Sequence, residues 1–182
     1  MCVKIPTVSS LIVLVVLGAI SLLVPTSSAQ MQNRQSTEAR LRILEDREAI
    51  RQLLIEYGRT LDKRDFVAFS KLFAESAEYV GGAGTAMKGP AAIAKSLEET
   101  FKKNPTGVRD PNFHLFANET IQVNGDEAIA VSKGLFVVPS AANAPEIIMM
   151  ATYEDVLTRE GQQWKFKHRS VHADIPALAP KK

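Results

Sequence analysis

Cysteine is almost absent from this sequence, since Cys2 is the only one in 182 residues. Cys2 precedes an apolar segment with the pattern of a secretory signal peptide, so the exported protein is expected to contain no cysteine. A protein without cysteine has no disulfide, no thiolate zinc site and no cysteine nucleophile. Its stability must therefore come from its hydrophobic core.

An excess of charge of one sign is also missing. The chain has 22 Lys and Arg residues against 20 Asp and Glu residues. This balance indicates neither nucleic acid nor an anionic membrane as a partner. Histidine is scarce as well, and His114, His168 and His172 include no pair with the helical spacing of metal ligands. We therefore predict neither a metal nor a cofactor.

Two catalytic motifs are missing. No Gly-x-Ser-x-Gly segment is present, so a serine hydrolase elbow is not supported. The glycine-rich run at residues 81–84 lacks the Gly-Lys-Ser/Thr ending that a phosphate-binding loop needs before its helix. Glycine clusters of this kind mostly mark turns, and we predict a turn between two strands here.

The first 29 residues have the three parts of a signal peptide. Lys4 is followed by an apolar run over residues 11–24 and by the small residues Ser27, Ser28 and Ala29. We predict cleavage after Ala29, export to the periplasm or the medium, and no membrane contact after cleavage. The alternative is an uncleaved anchor, which the apolar run disfavours because a span needs about 20 residues.

The remainder is the length of one domain. Residues 30–38 show no periodicity and are predicted as a flexible linker, residues 39–176 as the folded domain and residues 177–182 as a flexible tail. A helix is predicted from Thr37 to about Lys63, with an interruption possible near residues 45–46. Its apolar positions recur at three- and four-residue steps and comprise Ile50, Leu53, Leu54, Tyr57 and Leu61.

The elements that follow indicate an α+β fold. Asp65 is placed to cap a second helix with Phe66, Phe69, Leu72 and Phe73 on one side. Two short strands are predicted at 77–80 and up to residue 88, then a third helix from Pro90 to about 103, then four strands at 112–123, 127–139, 146–159 and 163–174. The predicted architecture is three helices packed on a curved, mostly antiparallel sheet.

Asp62 and His114 are the best candidates for chemistry. Asp62 lies at the C-terminal end of the first helix, where a carboxylate opposes the helix dipole by up to about 1 kcal/mol unless another group compensates. His114 lies in an apolar strand, and alternation places His114, Phe116 and Asn118 on one face. An aspartate bonded to one imidazole nitrogen leaves the other free to accept a proton, which makes a general base. The alternatives are a solvated Asp62 and a core histidine.

The order of residues resembles the nuclear transport factor 2-like superfamily, in its SnoaL-like branch. Within that branch the sequence is most similar to hexachlorocyclohexane dehydrochlorinase and, more distantly, to scytalone dehydratase. The resemblance covers about residues 40–175. It rests on Tyr57, residues 61–65, Leu72 and Phe73, Gly84 and Thr85, residues 88–90, Phe113 and His114 with Asn118, residues 153–155, Gly161, residues 164–166, and Arg169.

The resemblance implies a cone-shaped α+β barrel, trimeric assembly and cofactor-free elimination by an Asp-His pair. By position, Asp62 and His114 match the pair and Arg169 matches an arginine of the last strand. Tyr57 stands where the dehydrochlorinase has a lysine, which disfavours dehydrochlorination, and we assign it to the catalytic group as a phenol. The residues predicted to contact substrate are Asn118, Phe116, Phe66, Met150 and Val171.

Three functional hypotheses remain. The first is an exported, cofactor-free lyase or isomerase for a small hydrophobic molecule, in which His114 takes a proton and Asp62 orients it. The second is a non-catalytic module that binds a small ligand in its apolar pocket. The third is self-association into a dimer or trimer, because residues 147–150 are apolar on both faces of their strand. The first and third are compatible.

Overall fold

The computed structural model describes residues 27–81, 84–104 and 110–175. Most of the predicted signal peptide, residues 1–26, and the predicted tail lie outside the described residues. The described chain belongs to two compact units, one ending at Thr37 and the other beginning at Glu38. Within these described ranges, no helix combines the length and the apolar character needed to cross a membrane.

Helix α1 covers Ser27–Asp62 and begins earlier than predicted. Residues 30–38, predicted as a flexible linker without periodic structure, are part of this helix, and their flexibility stays a prediction. Gln, Met, Arg and Ala lose little side-chain freedom in a helix, and exposed positions need no apolar periodicity. The hydroxyls of Ser36 and Thr37 both donate to the Asn33 carbonyl, which is compatible with a helix.

The apolar stripe of α1 is buried as predicted, with every one of its five members at most 8 % exposed. The interruption considered at residues 45–46 does not occur. Asp46 is instead a buried anchor, because its Oδ1 accepts hydrogen bonds from Arg159 Nη2 at 2.6 Å and from Trp164 Nε1 at 3.1 Å. Burial opposes ionisation of Asp46, but these hydrogen bonds outweigh it and lower the pKa of the carboxyl.

Helix α2 covers only Phe66–Ser70, and Asp65 caps it as predicted by accepting from the Ala68 backbone N at 2.9 Å. Phe73 is not part of this helix, because it begins strand β1. The reason is tertiary: Phe73 pairs with Phe166, whose backbone N donates to the Leu72 carbonyl. Sheet pairing therefore ends the helix sooner than its apolar spacing predicts.

The sheet confirms the predicted α+β fold. Its strands are β1 (Phe73–Val80), β2 (Ala86–Lys88), β3 (Phe113–Asn124), β4 (Glu127–Pro139), β5 (Pro145–Glu160) and β6 (Gln163–Ile175), and α3 (Pro90–Lys103) follows β2. The order across the sheet is β2-β1-β6-β5-β4-β3. The sheet is curved and open. It is mostly antiparallel, because only β1 and β6 run parallel.

A bulge in β6 decides which of its residues face the helices. The register with β5 shifts between Phe166 and His168, so one residue is left over at Lys167. Trp164 and Phe166 are buried before the bulge, and Arg169 and Val171 are buried after it. Sequence alternation places Arg169 opposite Phe166, and the bulge brings both into the core.

Candidate active site

Asp62 is the last residue of α1, and three hydrogen-bond donors surround its carboxylate. Its Oδ1 accepts from Asn112 Nδ2 at 2.7 Å and lies 2.6 Å from His114 Nδ1, while its Oδ2 accepts from the His114 backbone N at 3.0 Å. These donors compensate the unfavourable position at the negative end of the helix dipole. Because both oxygens are held, the carboxylate has a fixed orientation toward the imidazole.

His114 is the second residue of β3, and its side chain is only 9 % exposed. Its ring stacks on Phe136 with centroids 4.4 Å apart. A Cβ added at Gly58 would lie 3.0 Å from the His114 Cβ and 3.2 Å from its carbonyl oxygen, so the glycine permits α1 and β3 to approach closely. Since Nδ1 faces Asp62, Nε2 is the ring nitrogen that this carboxylate does not engage.

Two further residues complete this cluster, and the sequence analysis missed both. Asn112 is 3 % exposed, and its Oδ1 accepts from Arg64 Nη2 at 2.6 Å. Arg64 has a positive φ of 58°, which is uncommon for a residue with a Cβ. The available signal was that Asn112 comes two residues before His114, so alternation along an extended chain puts the two side chains on one side.

Tyr57 and Arg169, the other predicted catalytic residues, lie together in the core. The Arg169 guanidinium lies 3.9 Å from the Tyr57 ring centroid and 4.2 Å from that of Phe166. The Tyr57 hydroxyl is hydrogen-bonded to the Tyr79 hydroxyl at 3.1 Å, and burial raises its pKa well above the ordinary tyrosine value. The structure thus groups these two residues with the core aromatic rings, and their catalytic role stays a prediction.

Arg169 forms a buried ion pair with Asp155. Both side chains are fully buried, with Arg169 Nε 2.9 Å from Asp155 Oδ1 and Nη2 3.2 Å from Oδ2. Among the described residues, Arg169 Nη1 has no hydrogen-bond partner. Burial raises the pKa of Asp155 to about 6, because the loss of hydration outweighs the attraction of Arg169.

A pH-dependent stability difference is expected from Asp155. The pKa is about 6 in the folded protein against an ordinary value of 3.8, so the folded state retains the proton between these values. The contribution of Asp155 to stability therefore falls as pH rises from about 4 to 6. Asp155→Asn cannot titrate, so wild type should lose stability relative to this variant over that range. Urea unfolding of both proteins at several pH values measures the difference, and a constant difference would contradict the shift.

Three of the five residues predicted to contact substrate belong to the core or pack against it. Phe116 is partly buried and packs edge-on against Tyr153 and Tyr57, with centroids 4.9 and 6.0 Å apart. Val171 is buried. The ring centroids of Phe66 and Phe101 are 6.2 Å apart. Their contact with a substrate stays a prediction.

Asn118 and Met150 are not in that group, and their placement is corrected. Asn118 is exposed, has a φ of 54° and sits where the register between β3 and β4 shifts, so the alternation from His114 is broken. Met150 is 39 % exposed on the outer face. Its neighbour Met149 packs against the core and pairs with Phe136, a second residue that the sequence analysis missed.

The geometry brings one imidazole and one carboxylate together beside an aromatic ring. Asp62 Oδ1 contacts His114 Nδ1, and the ring of Phe136 covers one face of the imidazole. Within the described ranges, no group of three or more His, Cys, Asp or Glu side chains is arranged to hold a metal ion. The arrangement is suited to removing a proton from carbon beside an electron-withdrawing group.

Several solved structures share this fold. A nuclear transport factor 2-like protein with a cystatin-like fold from Novosphingobium aromaticivorans is 28 % identical, over 77 % of this chain and 89 % of that one, with a TM-score of 0.68. A scytalone dehydratase candidate from the same organism is 24 % identical, over 71 % and 85 %, with a TM-score of 0.60. A type 2 hexachlorocyclohexane dehydrochlorinase is 20 % identical, over 77 % and 97 %, with a TM-score of 0.61.

The two enzyme-named structures are less than 25 % identical to this chain, so they establish a common fold and not a common activity. No curated protein matches the sequence significantly. The profile of the SnoaL-like domain matches residues 42–170, which include Asp62, His114 and Arg169. This match spans most of the chain, and the protein belongs to the SnoaL-like domain family.

Proposed function

We propose that this protein is an exported, cofactor-free lyase or isomerase in which His114 removes a proton from carbon. Asp62 holds Nδ1 of the ring, and Nε2 accepts the proton. The substrate is a small hydrophobic molecule with an acidic C–H bond. Loss of a β-substituent from the resulting carbanion gives elimination, and return of the proton to another carbon gives isomerisation.

The observation that carries the proposal is the 2.6 Å contact between Asp62 Oδ1 and His114 Nδ1. The side chains of Asp62 and His114 are 18 % and 9 % exposed, so the contact is shielded from water but not sealed from it. A histidine that is held by a carboxylate and covered by an aromatic ring is positioned as a base. The neighbouring Phe116, Phe136 and Met149 favour an apolar ligand.

Stabilisation of the developing negative charge has to come mainly from the substrate itself. Arg169 is held by Asp155 and covered by aromatic rings, so its charge is largely neutralised within the core. We therefore propose substrates whose own conjugation delocalises the charge, such as carbonyl compounds with a doubly activated C–H bond. Such substrates need a base more than they need a strong electrophile.

The test is a panel of small cyclic and aromatic carbonyl compounds with a β-hydroxyl group or a movable double bond. Elimination and isomerisation are followed by absorbance and NMR for the wild type, Asp62→Asn and His114→Ala. We expect at least one compound to react with the wild type and neither variant to accelerate it appreciably. Equal rates in all three proteins would contradict the proposal.

The second hypothesis, a ligand-binding module without catalysis, makes a different prediction for the same panel. A compound would bind, as seen by a rise in melting temperature, but it would not react. Asp62→Asn would leave its affinity almost unchanged, because apolar contacts would supply most of the binding free energy. Binding without reaction across the panel would favour this hypothesis over catalysis.

We also propose self-association through the outer face of the sheet. Two rows of apolar side chains cross the strands there, Phe113-Val137-Ile147 and Leu115-Leu135-Met150-Ile175. Five of these seven side chains are at least 39 % exposed, and a hollow of about 380 Å³ lies between the rows and the loop before β5. Contiguous exposed apolar surface of this kind marks interaction sites.

A second copy of this chain fits that face better than a charged partner does. The adjoining row contains Lys133 and Asp174, which already neutralise each other at 2.9 Å, so this pair offers no free charge to a charged partner. Sedimentation is expected to show a dimer or trimer that Leu115→Glu dissociates. Leu41→Glu, at an exposed leucine on α1, is the control that should leave it intact. A monomeric wild type would contradict the proposal.

A further inference from the structure

Arg64 and Asn112 form a hydrogen-bonded chain with the two residues of the proposed base. Arg64 Nη2 donates to Asn112 Oδ1 at 2.6 Å, Asn112 Nδ2 donates to Asp62 Oδ1 at 2.7 Å, and Asp62 Oδ1 contacts His114 Nδ1 at 2.6 Å. We propose that Arg64 and Asn112 are positioning residues that fix the direction of this chain. The inference rests on the proposed function, because it assigns them to the base His114.

The direction of the chain follows from the chemistry of its first member. A guanidinium has only donors, so the atom of Asn112 that faces Arg64 must be the amide oxygen. The amide nitrogen then faces Asp62, whose carboxylate can only accept. With Asn112 Nδ2 and the His114 backbone N already donating to it, the carboxylate also accepts the Nδ1 proton. Nε2 of the neutral ring is therefore left as the acceptor.

Arg64 is held firmly enough to play this part. Its Nη1 donates to the Leu61 carbonyl at 2.7 Å, and its guanidinium lies 4.0 Å from the ring centroid of Phe101. A contact of 3.2 Å with the exposed Asp110 completes its surroundings. Its side chain is 30 % exposed, and its φ of 58° brings it back toward the strand after the end of α1. These contacts restrain a cation behind Asn112, on the side away from Asp62.

Loss of the arginine removes the reason for this orientation. Without Arg64, the Asn112 oxygen has no donor at this point, and turning the amide would set its oxygen against Asp62 Oδ1, where two acceptors repel. Either orientation leaves one buried group poorly satisfied, which makes the carboxylate less well fixed. The expected consequence is a carboxylate that leaves His114 Nδ1 in part of the molecules, and in those molecules the ring takes either neutral tautomer instead of keeping its proton on Nδ1.

The test uses nitrogen-15 NMR of histidine-labelled protein at alkaline pH. In the wild type, the His114 signals should show a single tautomer with the proton on Nδ1. Arg64→Met and Asn112→Leu should both give a mixture of tautomers. Arg64→Lys keeps a donor and should restore the single tautomer at least partly, whereas a role confined to packing would not be rescued by charge.

Two matched controls should keep the wild-type pattern. Asp110→Asn removes only the exposed partner of Arg64, and Gln122→Leu removes an exposed amide from the same strand. Thermal unfolding of each variant identifies any that fail to fold. Arg64 is the more exposed end of the hydrogen-bonded chain, so Arg64→Met remains informative if Asn112→Leu does not fold. A single Nδ1–H tautomer in folded Arg64→Met would overturn the proposal.

The kinetic readout separates this inference from the proposed function. On a reacting compound, Arg64→Met and Asn112→Leu should lower kcat about 10- to 100-fold with KM nearly unchanged, the range expected when one hydrogen bond to a charged group is lost. A changed tautomer in a protein that converts no compound would refute catalysis and leave the positioning role intact. An unchanged tautomer in an active protein would refute the positioning role alone.

Discussion

Arg169→Met is expected to lower the free energy of unfolding by about 3–5 kcal/mol, the usual cost of removing one partner of a buried ion pair. The side chain is fully buried against Asp155, and the substitution leaves that carboxyl without its counter-charge. It also removes the cation from the faces of four rings, those of Tyr57, Phe166, Tyr153 and Phe116. Chemical denaturation of both proteins measures the loss.

The double variant Arg169→Met with Asp155→Leu is the control for this prediction. It replaces the whole pair by apolar groups of similar volume, and such replacements are often neutral or stabilising. We expect the double variant to be clearly more stable than Arg169→Met. Additive losses from the two substitutions would contradict a coupled pair. A loss of activity in Arg169→Met has to be interpreted after this stability change is known.

His114→Ala is expected to lower the turnover of a reacting compound by about 10²- to 10⁴-fold, the contribution typical of a positioned general base. Asp62→Asn should also lower it, because an amide can present its NH₂ group to Nδ1 and thereby favour the wrong tautomer. The two residues contact each other at 2.6 Å and act as one unit. The double variant should therefore be little worse than His114→Ala alone.

His172→Ala is the matched control for this series. His172 lies on the outer face of β6, where its Nε2 contacts Ser170 and the exposed Glu154. Its removal should leave turnover within about twofold of the wild type, since surface substitutions away from a site change little. Steady-state kinetics on the wild type and the four variants test the series. If the double variant lost turnover by the product of the two single-variant factors, Asp62 and His114 would act independently, against this prediction.

The elements with strong periodicity were predicted well from sequence. The stripe from Ile50 to Leu61 required a helix with one buried face, and all of its members are in the core. The hairpin turns at Gly125 and Gly161 have positive φ values of 62° and 64°, a conformation that glycine adopts without strain. Local signals of this kind act within a few residues and need no tertiary information.

The faces of the strands could not be predicted beyond a bulge. Alternation counted from His114 predicts the correct face of β3 for Phe116 but the wrong face for Asn118. The reason is an extra residue in β3, which reverses the alternation between the two faces. Met150 lies on the outer face without any bulge, because ordinary alternation from the buried Ala151 and Tyr153 puts Met149 toward the core and Met150 outward. Whether a bulge forms depends on the pairing of two strands, and this information is not local to either of them.

The contact between Asp62 and His114 was predicted, but its support was not. A helix end and an apolar strand suggested the pair, and the family resemblance placed both residues. Arg64 and Asn112 looked like ordinary polar residues of a turn and a strand start. Their role depends on an arginine with positive φ that reaches an asparagine 48 positions later, and no sequence periodicity encodes such a contact.

The most direct test of the central claim is hydrogen–deuterium exchange at carbon in D₂O, followed by NMR on compounds of the panel. Exchange reports proton removal itself, whether or not a substituent then leaves. The proposed base predicts that the wild type exchanges the acidic C–H of at least one compound, and that His114→Ala does so at least about 100-fold more slowly. Exchange at the same rate in both proteins, or in neither above the buffer rate, would contradict the assignment of His114 as the base.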